Sequence, residues 1–346
     1  MSLDSYILAM PKVELHVHLE GSIRPETLLK LANRNNVPLP ADSVEGLKKW
    51  YTFTDFPHFI QVYATISSCL RTASDIALIA REFLSGQAAQ NIVHSEVTYT
   101  AFSIYRDSGI PFDEQLSALN RARVWAEKEL GVSMSLTIDI PRERVTALDA
   151  LLITDWAISG IDNGVTAFGV GGPEVGYPPE LFGDAFDRAR AAGLASVPHA
   201  GETVGPESIW GALRALRAQR IGHGVRCLED AELVKELRAR QTPLEVCPTS
   251  NVCLKVFPSL ADHPLPQLLA EGLYVTINSD DPPMFNTTLT DEYINTARVF
   301  NFSVATIEKL SLNALRASLL PQDIRMNLEK RFEDDFKRLR IEHEVN

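Results

Sequence analysis

The sequence predicts an α/β fold: a single, distorted (β/α)8 barrel of the TIM type, with extra helices after the first strand and at the C-terminus. Three observations carry this expectation. Strand-like runs alternate with helical ones along the chain, eight strands in all, and that alternation is the signature of a parallel sheet covered by helices. Residues able to do chemistry stand where those strands end, at His16, His18, His199, His223 and the pair Asp280-Asp281; barrels of this kind keep their catalytic groups at the C-terminal strand ends. No linker, low-complexity tract or internal repeat interrupts the 346 residues, so 1–346 reads as one domain.

The first strand is Lys12–His18, within KVELHVHLEGS. Alternate residues of a strand share a side, so Val13, Leu15, Val17 and Leu19 face one way and Glu14, His16, His18 and Glu20 the other. Ser22–Glu26 reads as a helix start, with Ser22 as cap and Pro25 in the first turn. Residues 36–42 break the chain. Residues 42–59 carry Trp50, Tyr51, Phe53, Phe56 and Phe59 without a clean period. They read as a helical excursion over the barrel mouth or, equally, as a packed surface hairpin. Residues 59–89 are helical.

Then the alternation settles in. Strands are expected at 92–99, 132–138, 165–170, 195–199, 220–222, 242–247 and 273–278. Helices are expected at 111–130, 142–159, 180–192, 206–218, 230–240 and 266–271, with closing helices from 291 and a charged, solvated terminal helix over 325–346. A doubly wound sheet is disfavoured. Gly169, Gly171 and Gly172 follow a strand but lack the G-x-G-x-x-G spacing of a dinucleotide turn.

Composition limits the function. A net charge of −12 argues against a nucleic-acid or anionic-membrane surface. Four scattered cysteines without a C-x-x-C pair argue against a thiolate zinc knuckle and suit buried, reduced thiols in the cytoplasm. The N-terminus shows no secretory pattern, and no apolar run approaches the length of a membrane span.

Each candidate residue has a plain alternative. A lone H-x-H is commonly a polar patch on an edge strand, and a single histidine after a strand is commonly a satisfied core residue. Taken together these readings weaken, because three imidazoles and a carboxylate on one rim can converge on one ion and leave a water position open, and they suit Zn²⁺. Gly201 lets the backbone approach closely beside His199, and Glu202 could return into the mouth. Asp280 could cap the helix-like turn before Pro282, but two adjacent carboxylates repel, and a cation would relieve them. His58, His94, His263 and His343 are read as structural or surface residues. Glu96 is read as a group behind the site or as a rim salt bridge.

Assembled, these stretches resemble the adenosine deaminase family of the amidohydrolase superfamily: K-V-E-L-H-V-H-L-E-G from Lys12, H-A-G-E from His199, R-I-G-H-G from Arg220, C-P-T-S-N from Cys247 and N-S-D-D-P from Asn278. Order and spacing match from Pro11 to about residue 320. The resemblance implies one Zn²⁺ held by His16, His18, His199 and Asp280, with its water attacking C6 of a 6-aminopurine and ammonia leaving. It implies that Glu202 donates a proton to ring N1, that His223 takes the water's proton and orients it, and that Asp281 holds the attacking oxygen and serves the leaving amine. It also implies that the Gly172 N–H meets purine N3 and that Glu20 contacts the substrate.

The likeness is closest to a bacterial branch that includes adenine deaminases and 6-aminodeoxyfutalosine deaminases. Nucleoside-specific members carry Asp where Glu20 stands, an L-A-G-D-E run where Val170–Glu174 stands, and C-P-W-S where Cys247–Ser250 stands. Adenine-specific members usually carry Asp where Gly222 stands. An N9-substituted adenine is therefore expected before free adenine. An inactive relative acting as a binding protein is the alternative of another class, and it would want a lost ligand or a lost Glu202. A binuclear hydrolase would want a lysine at a strand end, and none is there. Oligomeric state is not legible.

Overall fold

A computed structural model of the chain describes residues 2–345. Strands alternate with helices as expected, save between Ser196 and His199, but the hydrogen-bonded ladder divides into two parallel sheets. The first runs β1 (Lys12–His18), β2 (Ile92–Tyr99), β3 (Ser133–Pro141), β4 (Val165–Gly171) and β5 (Ala195–Ser196). The second runs β6 (His199–Ala200), β7 (Ile221–His223), β8 (Leu244–Val246) and β9 (Val275–Ile277).

The single strand expected over 195–199 is thus two pieces. Pro198 lies between them, and proline has no N–H to give a ladder. Val197 still donates to the Phe168 carbonyl at 2.9 Å and Gly222 to the Pro198 carbonyl at 2.9 Å, so the barrel wall continues through the break.

The other seam lies between β9 and β1. Only one isolated parallel bridge, Val17 to Asp280, is formed there. The Asn278 side chain takes the place of a ladder. Its Oδ1 accepts from the Leu15 N–H at 2.9 Å and the His16 N–H at 3.1 Å. Beyond it, His18 N–H donates to the Asp280 carbonyl at 2.9 Å and Asp280 N–H to the His16 carbonyl at 3.1 Å. Closure by a side chain leaves Asp280 free to turn out of strand geometry, with φ +64°.

β1 is buried along its whole length. The apolar side packs in the core, and on the polar side Lys12 and Glu14 are satisfied by neighbouring groups. The Glu14 carboxylate accepts from Ser279 Oγ and Gln87 Nε2, both at 2.5 Å. Lys12 donates to the carbonyls of Ile7 and Met10, both at 2.8 Å, and so finishes the short helix Leu3–Ala9.

The helical excursion over 42–59 is borne out as helices Val44–Trp50 and Phe56–Ser68, joined by a loop. Phe53, Phe59 and Phe285 pack together, Phe59 stacked on Phe285 at 5.7 Å, and this fastens the excursion beside the mouth. Ser22 is not a cap. A 3-10 turn occupies Glu20–Ser22, Ser22 donates to the His18 carbonyl, and the helix starts at Pro25. Helices Ala101–Ser108 and Pro248–Cys253 were not expected; both are short insertions directly after a strand. The terminal helix is Gln322–His343; Met1 and Asn346 lie outside the described residues. Among the described residues no helix is long and apolar enough to cross a membrane.

Candidate active site

One end of the barrel opens into a cavity of about 710 Å³, its mouth included. His18, His199, Glu202, His223, Asp280, Asp281 and Gly172 line it, with Asp139, Glu143, Arg144 and an apolar wall of Phe56, Phe59, Ile60 and Leu254. Of the strand-end residues singled out above, His18, His199, His223, Asp280 and Asp281 line it, and His16 and Glu20 do not. Glu20 is buried, with its oxygens taken by the Thr100 N–H at 2.9 Å and the Tyr63 hydroxyl at 3.2 Å. Burial pushes its carboxyl up to about 8.

His16, His18, His199 and Asp280 present ligand atoms that all lie within 4.8 Å of one another. His18 Nε2 is 3.2 Å from His199 Nε2, and Asp280 Oδ1 is 3.3 Å from His18 Nε2 and 3.5 Å from His16 Nε2. Four donors each about 2.0–2.1 Å from one tetrahedral ion stand about 3.3 Å apart. The spacing therefore fits a single ion. So does the bonding: His16 Nε2 is buried without a hydrogen-bond partner. A second grouping swaps in His223 and Cys247. The Cys247 thiol is pushed well up by burial and by nearby carboxylates, which makes it the poorer ligand.

The electrostatics ask for a cation. Burial works against charge on His16, but the Asp280 and Glu245 carboxylates outweigh it and raise the imidazole to about 10. Burial lowers His18 to about 4 and His199 well below the usual range. Asp280 is held well below the carboxylate range against burial, by the His16 imidazole 3.5 Å away and by those of His223 and His18. Asp281 next to it is pushed well up, by burial and then by the Asp280 charge.

Behind these groups stands a shell of support. Glu245 Oε2 accepts from His16 Nδ1 at 2.9 Å, so Nε2 is the nitrogen that would offer its lone pair to a bound ion. Arg220, buried, binds Glu245 and Glu96, both at 2.5 Å. Of the two readings of Glu96, the first fits: it is a fully buried ion-pair partner two steps behind His16, not a rim residue. Ser250 donates to Asp280 Oδ2 at 2.6 Å. Glu174 accepts from the N–H groups of Gly201 and Glu202 at 2.8 and 2.9 Å, and Arg142 donates to the His199 carbonyl at 2.5 Å, so the chain is pinned where it leaves β6. Sequence reasoning assigned no role to Glu245, Ser250, Glu174 or Arg142. A carboxylate inside the apolar run of β8 was the available signal for Glu245.

Glu202 is buried, and burial first, then the charges of Asp280 and Glu174, push its carboxyl well up. It lies 3.8 Å from His223 Nε2. The glycines have steric reasons. A Cβ on Gly222 would stand 2.7 Å from His16 Cε1, a Cβ on Gly21 would overlap the Asp281 carboxylate, and Gly172 turns at φ +88° beside Glu143. His223 also adopts a left-handed backbone, φ +61°. Left-handed backbone at two non-glycine residues of one site, His223 and Asp280, is the kind of strain that functional sites hold.

The sequence pattern of the family described as "Adenosine deaminase" matches residues 11–334. The chain belongs to that family. An aminodeoxyfutalosine deaminase of Streptomyces avermitilis is 43% identical over 322 residues, 92% of this chain and 89% of that protein. An adenine deaminase of Trichlorobacter lovleyi is 39% identical, over 94% of this chain and 92% of that one. The crystal structure of an adenine deaminase from Arthrobacter aurescens superposes with a TM-score of 0.91 at 35% identity, over 95% of this chain and 100% of that one. An amidohydrolase from Burkhoderia ambifaria, solved with bound Zn, gives 0.90 at 26% identity, over 98% of this chain and 94% of that one. Membership makes this deaminase a metal-dependent hydrolase of amidine C–N bonds, on the TIM-type scaffold that the sequence predicted.

Proposed function

We propose that the chain hydrolyses the 6-amino group of an N9-substituted adenine, in the class of adenosine and aminodeoxyfutalosine, to the 6-oxo purine and ammonia. The proposed ion is one Zn²⁺, held by His16, His18, His199 and Asp280. The observation that supports this most is the convergence of those four donors beside a buried Glu202, whose carboxyl burial pushes well up.

A divalent ion bound there lowers the pKa of a water from about 15.7 to about 7 and supplies a nucleophile at neutral pH. The residues of the chain do the rest. Glu202, neutral because it is buried beside other carboxylates, donates its proton to ring N1 and lets C6 become tetrahedral. A cation held by Asp280 would offset the charge that helps push Asp281 up, and Asp281, ionised, would then accept the proton of the attacking water and pass it to the departing amine. His223 stands over the same space and orients that water. The Gly172 N–H is offered to purine N3, and the apolar wall of Phe56, Phe59, Ile60 and Leu254 covers the substrate and thins the water around it.

Two features favour an N9 substituent. The cavity that His18, His199 and Asp280 line is also lined by Ser103 and Arg144, polar groups that a substituent on N9 would meet. Gly222 stands where adenine-specific members usually carry Asp, and its close contact with His16 leaves no room for that side chain. Glu20, engaged by Thr100 and Tyr63, would act on the substrate through Tyr63. Free adenine is the second reading, favoured by the likeness to adenine deaminases. Initial rates with adenine, adenosine and aminodeoxyfutalosine, followed by loss of the 6-amino chromophore in the ultraviolet, decide between them. The highest kcat/KM is expected on an N9-substituted substrate; a preference for adenine overturns that choice and leaves the deaminase reading standing.

A further inference from the structure

His223 is not the end of its hydrogen-bond chain. Its Nδ1 lies 3.2 Å from Asn251 Nδ2. Asn251 Oδ1 lies 3.1 Å from His263 Nε2. His263 Nδ1 lies 3.1 Å from the Leu265 backbone nitrogen. All three side chains are buried, Asn251 completely.

The last contact fixes the direction of every other. A backbone N–H can only donate, so His263 Nδ1 must be the acceptor. A buried imidazole accepting there is neutral and carries its proton on Nε2; burial lowers His263 to about 3, in agreement. Nε2–H then donates to Asn251, which must present its carbonyl oxygen. The Asn251 amide is left to donate, and His223 Nδ1 must accept. A neutral His223 accepting at Nδ1 holds its proton on Nε2, the nitrogen that faces Glu202 at 3.8 Å and Asp280 at 3.9 Å.

We propose that His263 and Asn251 are positioning residues that lock His223 in its Nε2–H tautomer, so that His223 donates a hydrogen bond to the attacking oxygen instead of taking its proton. This rests on the deaminase reading above and revises the role that family resemblance gave His223. The proton of the attacking water goes to the Asp281 carboxylate and from there to the leaving amine, so His223 ends the cycle with the proton it began with. It also gives a purpose to His263, which on sequence alone reads as a structural histidine and sits 12 residues beyond Asn251 on the far side of a short helix and a 3-10 turn.

The test is long-range ¹H–¹⁵N correlation on the metal-loaded full chain, with ring-¹⁵N histidine, at neutral pH and without substrate. Both His223 and His263 are expected to show an unprotonated Nδ1 and a protonated Nε2. Asn251→Asp offers His223 an acceptor in place of a donor. It is expected to move the His223 proton to Nδ1, to keep the metal, and to lower kcat about 10- to 100-fold with KM little changed. His263→Phe releases the amide and is expected to give a mixture of His223 tautomers. A wild-type His223 protonated at Nδ1 overturns the proposal, even if no variant folds. So does Asn251→Asp with full metal and wild-type kcat. Both readouts are independent of which purine the enzyme prefers, so a failure here is separable from a failure of the substrate assignment.

Discussion

The acid role proposed for Glu202 shows how little of such a role lies in the residue type itself. A glutamate is ionised at neutral pH, and an ionised one cannot donate to a ring nitrogen. What changes it is place: burial, with Asp280 and Glu174 nearby, favours the neutral form. Glu202→Gln keeps the size and loses the proton. It should retain the metal and lower kcat by about 10²–10⁴-fold, read as metal content by mass spectrometry beside steady-state rates; a near-wild-type rate removes Glu202 from the acid role. The residue was legible in the sequence because H-A-G-E is a local pattern. Its environment was not, because Glu174 and Asp280 stand far from it along the chain and meet it only in the fold.

At the scale of elements, the seams of the barrel are the informative places. β9 and β1 share one bridge, and Asn278 supplies the acceptors a ladder would have supplied. Asn278→Ala strands the buried N–H groups of Leu15 and His16. The expected loss is about 2–4 kcal/mol, read as a lower urea midpoint, with weaker metal retention because His16 hangs on that seam; an unchanged midpoint shows the seam closes without Asn278. Strand order and type were legible from alternation, and the 42–59 excursion from its aromatics. The break at Pro198 and the short helices 101–108 and 248–253 were not: strands of two residues and helices of eight and six are too short to show a period. The CPTSN stretch was read only as a family mark, although Ser250 and Asn251 each hold a residue of the site. Side-chain partners of that kind are set by tertiary distance, which spacing does not encode.

At the scale of the molecule, a net charge of −12 is compatible with a cation at the centre and with a small neutral or anionic substrate steered by local groups such as Arg144, not by the overall field. The whole scaffold serves one convergence: residues 16, 18, 199 and 280 are brought to a common point by the two seamed sheets, and the buried chain from Glu96 through Arg220 and Glu245 to His16 holds that point from below. The most direct measurement is metal content against deamination rate in one protein preparation, stripped by chelator and reloaded stepwise with zinc. About one zinc per chain should restore full activity, with rate proportional to occupancy, and His199→Ala should lose both together. A stripped, metal-free preparation that deaminates at the full rate would contradict the assignment.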